Sequence, residues 1–260
     1  MRGAGAVRSL LFNTVFYLNL IVLLALGSPL LVGPRRHAMA GLKFWGWTTM
    51  WWQKLIVGTG VEIRGRENIP PGPLMVACKH QSAWETIALH TLFADPAMVL
   101  KRELMWIPVM GWFSRKFRMI PIDRSASVSA MRALRARARE AVGDGRQIII
   151  FPEGTRRAPG ARPDYKPGVA LLYGDLGVPC VPVALNSGLY WPRRRLARHP
   201  GTILVELLPA IPPGLPKNEF MTRLERDIET ASKRLIAEAA ASKNPPPLPE
   251  EARAAPELPA

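Results

Sequence analysis

The apolar positions of this chain change texture twice. Over residues 10–32 they run almost unbroken, with no charged residue between Arg8 and Arg35, which is long enough to cross a bilayer as a helix. Asn13, Asn19, Ser28 and Pro29 interrupt the run and basic residues flank both ends, so lying in the interface competes with spanning. A cleaved secretory signal fits less well, because no convincing small-x-small site precedes Arg35-Arg36. Residues 42–55 then carry Trp45, Trp47, Trp51 and Trp52 beside Lys43 and Lys54. Such rings favour the headgroup level of a membrane, although the same spacing also suits a core stripe.

From Val61 onward, short apolar runs bounded by turn residues replace the long one. Residues 73–78 are too few for a helix and do not alternate, which predicts a strand buried on both faces in a parallel sheet. A helix is predicted over 83–93, with Ser82 as its cap. Residues 61–65 and 202–207 alternate as strands. Further strands are predicted at 97–100, 119–122, 147–151 and 178–185, the last with prolines suited to an edge or to strand ends. Helices are predicted over 127–142, from Gly168 through Tyr173, and over 217–241. These elements form an α/β domain over 59–243, with a mixed, mostly parallel central sheet flanked by helices. Membrane-associated helices over 1–58 precede it. The last 17 residues, 244–260, hold six prolines and are predicted to be disordered.

Charge narrows the partners. Across 260 residues, 35 Lys and Arg oppose 20 Asp and Glu, a net +15 with a pI near 10.7, so an anionic partner is implied: nucleic acid, a phospholipid surface or a phosphorylated substrate. Arg132, Arg135, Arg137 and Arg139 on one predicted helix fit either a solvated face or an anion-attracting one. Cys78 and Cys180 each sit in an apolar run without a Cys-x-x-Cys pair, which argues for reduced packing residues and against a disulfide framework or zinc site.

The candidate chemistry follows two of the predicted strands. His80 stands just beyond the 73–78 strand, and the carboxyl edge of an open α/β sheet is where ligands bind. Glu85, in the first turn of the next helix, lies where the ring can fold back to meet it. A carboxylate on one ring nitrogen fixes the tautomer and leaves the other as a general base. A purely structural role competes: Ser82-x-x-Glu85 is also a capping box. The 147–151 strand ends in Pro152-Glu153-Gly154-Thr155-Arg156-Arg157. Gly154 would let backbone amides approach an anion, Thr155 would donate, and an arginine fork would grip phosphate oxygens. Asp123-Arg124 ends another strand, and Lys101 and Lys166 are further anion contacts.

In order along the chain, Lys79-His80-Gln81-Ser82-Ala83-Trp84-Glu85-Thr86, Ile120-Pro121-Ile122-Asp123-Arg124, Phe151-Pro152-Glu153-Gly154-Thr155-Arg156 and Val178-Pro179-Cys180-Val181-Pro182-Val183 resemble the four blocks of the glycerolipid acyltransferases, over roughly residues 42–208. The resemblance implies a membrane-bound enzyme that moves a fatty acyl group from coenzyme A or acyl carrier protein to the sn-2 hydroxyl of lysophosphatidic acid, with no metal or other cofactor. His80 is then the base and Glu85 its orienting carboxylate, while Arg124, Glu153, Gly154, Thr155 and Arg156 form the phosphate site. An anionic membrane is the expected partner, and the bacterial inner membrane, with the catalytic domain on its cytoplasmic side, the expected location. Two positions depart from the pattern: Glu85 replaces the usual Asp of His-x4-Asp, and Met119 stands where glycine is usual. Glycerol 3-phosphate, lyso-ornithine lipid or another lysophospholipid remain alternative acceptors. A non-catalytic, basic, membrane-tethered binding protein is the competing class. It has no groove-reading motif, and the tryptophans do not interleave with the arginines, so nucleic acid is not expected. The pattern leaves the oligomeric state open.

Overall fold

The computed structural model describes residues 2–123 and 128–253. In chain order the elements are α1 (Arg2–Leu26), α2 (Arg35–Val57), β1 (Thr59–Arg64), β2 (Leu74–Cys78), α3 (Trp84–Leu92), β3 (Pro96–Lys101), α4 (Met110–Lys116), β4 (Ile120–Ile122), α5 (Val128–Gly143), β5 (Gln147–Ile150), α6 (Gly168–Leu176), β6 (Cys180–Leu185), α7 (Ser187–Tyr190), β7 (Gly201–Leu207), α8 (Lys217–Ala240) and α9 (Glu250–Arg253). The strands form one sheet in the order β1-β7-β6-β2-β5-β3-β4. Only β6 and β7 pair antiparallel; the other neighbours are parallel. The mixed, mostly parallel α/β architecture is thus the one the sequence predicts.

Every residue of β2 is buried, which explains why its sequence lacks alternation. Leu74, Val76 and Cys78 join the core beneath α2 and α3, together with Ile149 and Val181. Met75 and Ala77 face the other way, toward α5, α6 and α8, with Ile148 and Ile150. Each fully buried Leu, Val, Ile or Met among them contributes about 1.5–3 kcal/mol. The alternation continues past the strand: Lys79 falls on the α8 side, whereas His80 falls on the α3 side and stacks on Phe151 at 4.0 Å between ring centroids.

Three expectations are revised. The prolines of the 178–185 run do not mark an edge, since β6 lies inside the sheet between β7 and β2. Pro182 is accommodated because the ladder to β7 begins one residue later, at Val183↔Leu207, and its carbonyl accepts from Leu208 N at 2.9 Å. The Pro-rich end touches the domain at three points before Arg253: Pro246 is buried, and Leu248 and Ala252 lie against the core; the rest of that expected disordered tail, 254–260, lies outside the described residues. The tryptophan run divides its roles. Trp45 and Trp52 pack on the core, while Trp47 and Trp51, one helical turn apart, are exposed.

α1 is long and apolar enough to cross a membrane. One side of it is tied to the domain: Phe12 is buried and edge-on to Trp191, Ser9 Oγ accepts from Arg198 N at 2.9 Å, and Asn13 Nδ2 donates to Leu196 O at 2.8 Å. Asn19 Nδ2 donates to Thr48 Oγ1 of α2 at 2.9 Å. These bonds use the polar groups that interrupt the apolar run. The other side, with Leu10, Leu18, Ile21 and Val22, is exposed. Cys78 and Cys180 are both free and buried.

Candidate active site

Because β2, β5, β3, β4 and β6 are mutually parallel, the residues that follow them converge on one edge of the sheet. His80, the 151–157 turn, Lys101, Asp123 and Ser187 are all placed there by their strands.

Glu85 is wholly buried and saturated with donors. Its Oε1 lies 2.9 Å from His80 Nδ1 and accepts the backbone amides of Gln81 at 2.7 Å and Ser82 at 2.6 Å. Its Oε2 accepts from Ser187 Oγ at 2.7 Å. The capping and orienting roles that compete at the sequence level are therefore filled by one carboxylate. A carboxylate only accepts, so Nδ1 carries the hydrogen and Nε2 keeps its lone pair. Phe151 packs on one face of the ring, and the His80 carbonyl accepts from Arg157 N at 2.8 Å. The His80 ring is thus held by side chain, ring stacking and backbone together.

The turn after β5 is arranged differently. Gly154 has φ +63°, a left-handed conformation that glycine adopts without strain, and its amide donates to Phe151 O at 2.9 Å. Neither Thr155 nor Arg156 makes a side-chain hydrogen bond or ion pair among the described residues. Glu153 does not face this open side. Its buried carboxylate meets Lys79 Nζ at 3.0 Å. Burial pushes the Glu153 carboxyl above its ordinary value, while the Lys79 ammonium pulls it down. Arg157 is held by Asp164, and so is Lys166, at 2.7 Å. Lys101 pairs with Glu103 at 2.8 Å, and both are about half exposed. Arg124 lies outside the described residues.

Sequence reasoning missed several participants. Ser187, on α7, reaches Glu85 across 102 positions; the polar triplet Asn186-Ser187-Gly188 at a strand end was the available signal. Arg193 donates to the Arg156 carbonyl, and burial, followed by Arg194, Arg156 and Arg157, lowers its pKa below the ordinary arginine value. Positive charge is thus concentrated beside the turn. Among the described residues no three His, Cys, Asp or Glu side chains gather as a metal site.

An acyltransferase family model matches residues 60–186, which contain the His80, Glu85 and Gly154-Thr155-Arg156 constellation. A 1-acyl-sn-glycerol-3-phosphate acyltransferase of Pseudomonas aeruginosa is 35% identical over 214 residues, 81% of this chain and 83% of that protein. The chain belongs to the 1-acyl-sn-glycerol-3-phosphate acyltransferase family. A mouse family member, 1-acyl-sn-glycerol-3-phosphate acyltransferase alpha, is 29% identical over 162 residues, 61% of this chain and 57% of its own. The crystal structure of the 1-acyl-sn-glycerophosphate (LPA) acyltransferase from Thermotoga maritima shares the fold, with a TM-score of 0.72 at 23% identity over 91% of this chain and all of that one. In this acyltransferase both departures have a structural reading. The longer Glu85 reaches His80 while also closing the start of α3. Met119 is buried, with its Sδ 3.3 Å from Met98 N, so it packs between β3 and β4.

Proposed function

We propose that the chain transfers a fatty acyl group from an acyl thioester to the sn-2 hydroxyl of lysophosphatidic acid, giving phosphatidic acid. The observation that carries this reading is the His80–Glu85 pair, fixed at 2.9 Å, beside an arginine-bearing turn with unpaired donors. His80 Nε2 takes the proton of the acceptor hydroxyl as its oxygen attacks the thioester carbonyl. The tetrahedral intermediate then collapses, the carbon–sulfur bond breaks, and the thiolate recovers the proton from the imidazolium. Glu85 stabilises that imidazolium. Gly154, Thr155 and Arg156, with Arg124, hold the acceptor phosphate, and such positioning supplies several kcal/mol of the barrier reduction. No metal or covalent acyl-enzyme enters this scheme. The donor is acyl-CoA or acyl carrier protein, the latter matched by the +15 charge. The exposed face of α1, with Trp47 and Trp51, holds the site at an anionic membrane, which we assign to the cytoplasmic side of a bacterial inner membrane.

The test is acyl transfer from a labelled thioester to lysophosphatidic acid by the detergent-purified chain, with glycerol 3-phosphate and other lysolipids as competing acceptors. Transfer to lysophosphatidic acid that His80→Ala lowers by at least about a hundredfold is the expected result. Transfer only to another acceptor would overturn the substrate, and an unaffected His80→Ala variant would overturn the mechanism.

A further inference from the structure

Lys79 is buried to 2% exposure beside the base, and an isolated buried ammonium costs several kcal/mol. The compensation is specific. Lys79 Nζ lies 3.0 Å from Glu153 Oε1 and 2.7 Å from Glu229 Oε1 of α8, and Tyr165 OH donates to the same Glu229 oxygen at 2.9 Å. One ammonium therefore meets two carboxylates, drawn from β2's end, the 151–157 turn and α8. Glu153 is the residue before Gly154-Thr155-Arg156, and the backbone amide of His80 also acts on its carboxyl. From the other side, Arg157 N donates to His80 O. The turn is thus clamped to the base-bearing segment at both of its ends, once through a side chain and once through backbone.

We propose that Lys79 is a positioning residue for the acceptor: its ammonium fixes Glu153, and through it the distance between the phosphate-binding turn and His80. This rests on the function proposed above. Lys79 touches no substrate, because successive residues of the extended segment project to opposite sides and its side chain points toward α8. The effect is on register. A turn released from Lys79 still carries Thr155 and Arg156 but no longer presents the phosphate at the distance that brings the sn-2 hydroxyl to Nε2, and displacements of ~1 Å are costly in such geometry.

The experiment uses the full-length chain in detergent and measures kcat and separate KM values for lysophosphatidic acid and the acyl thioester, with thermal melting as the folding readout. Lys79→Met is expected to raise the lysophosphatidic acid KM about tenfold or more and to lower kcat, leaving the thioester KM within about twofold. Lys79→Arg recovers part of the loss, and Lys79→Met/Glu153→Gln is no worse than Lys79→Met alone, since both act through one contact. A lowered melting temperature with an unchanged lysophosphatidic acid KM would overturn the proposal, as would additive losses in the double variant. If Lys79→Met does not fold, Lys79→Arg and Glu153→Gln decide: a raised acceptor KM in both supports the clamp, and wild-type values in either reject it. His80→Ala separates the two levels, since transfer at the wild-type rate in that variant refutes the underlying mechanism whatever Lys79 does.

Discussion

The two halves of the site are built on opposite plans. Around His80 the orienting carboxylate is filled from within: Glu85 alone receives four donors. Around Arg156 the chain leaves donors without partners and gathers Arg156, Arg157 and Arg194 near Arg193, whose pKa burial first and these charges second lower below its ordinary value. A base must be oriented before substrate arrives, so its partners are internal. A phosphate grip works by gaining a partner, so the protein withholds one. The contrast lies between a Glu85 carboxylate whose acceptors are met by the protein and a turn whose Thr155 and Arg156 side chains stay open.

The largest test of this contrast is His80→Ala, expected to lower kcat by about 10²–10⁴-fold with the fold intact, because general-base catalysis is worth that much. Glu85→Gln comes next. It keeps an acceptor for the two amides but loses the charge that stabilises the imidazolium, so kcat is expected to fall by about 10²–10⁴-fold. On the open side, Arg156→Ala is expected to raise the lysophosphatidic acid KM by roughly tenfold or more, the worth of a charged hydrogen bond, with a smaller change in kcat. A kcat-only loss there would erase the distinction between the two halves. Arg193→Ala acts through the field and is expected to give a change of only about twofold to fivefold that shrinks in high salt.

Acid tests the fold apart from the site. His90 is a stability group: it is buried on α3, and burial, then Lys43 and Arg146, lower its pKa to about 4. Its folded pKa lies below its unfolded one, near 6.5, so the unfolded chain binds the proton first. Stability is then complete above pH ~6.5 and is lost as the pH falls toward 4, by on the order of 3 kcal/mol. His90→Leu is expected to flatten that acid limb in thermal melts while leaving kcat at neutral pH nearly unchanged.

How much of this was legible in the chain depends on range. The unbroken apolar run of β2, the polar turn after it and the Ser82-x-x-Glu85 spacing announce strand, site edge and helix start, because each depends on contacts within a few residues. Ser187 meeting Glu85, and Glu229 meeting Lys79 across 150 positions, leave no such mark. Their meeting is fixed by where α7 and α8 pack, and no local period records it. The same limit hid Pro182 inside the sheet and the contacts of Pro246, Leu248 and Ala252 with the domain.

By itself, then, the sequence determined the α/β class, the strands and longer helices in order, the apolar N-terminal helix, and the placement of His80 beside Glu85, all properties of local pattern and spacing. The tertiary structure alone decided that Glu85 caps and orients at once, that Glu153 belongs to a buried ion cluster and not to the open side of the turn, and that Arg193 joins the cationic edge. Those outcomes depend on which faces meet when the sheet and α8 close around the strand ends, and burial sets their energies only after that closure.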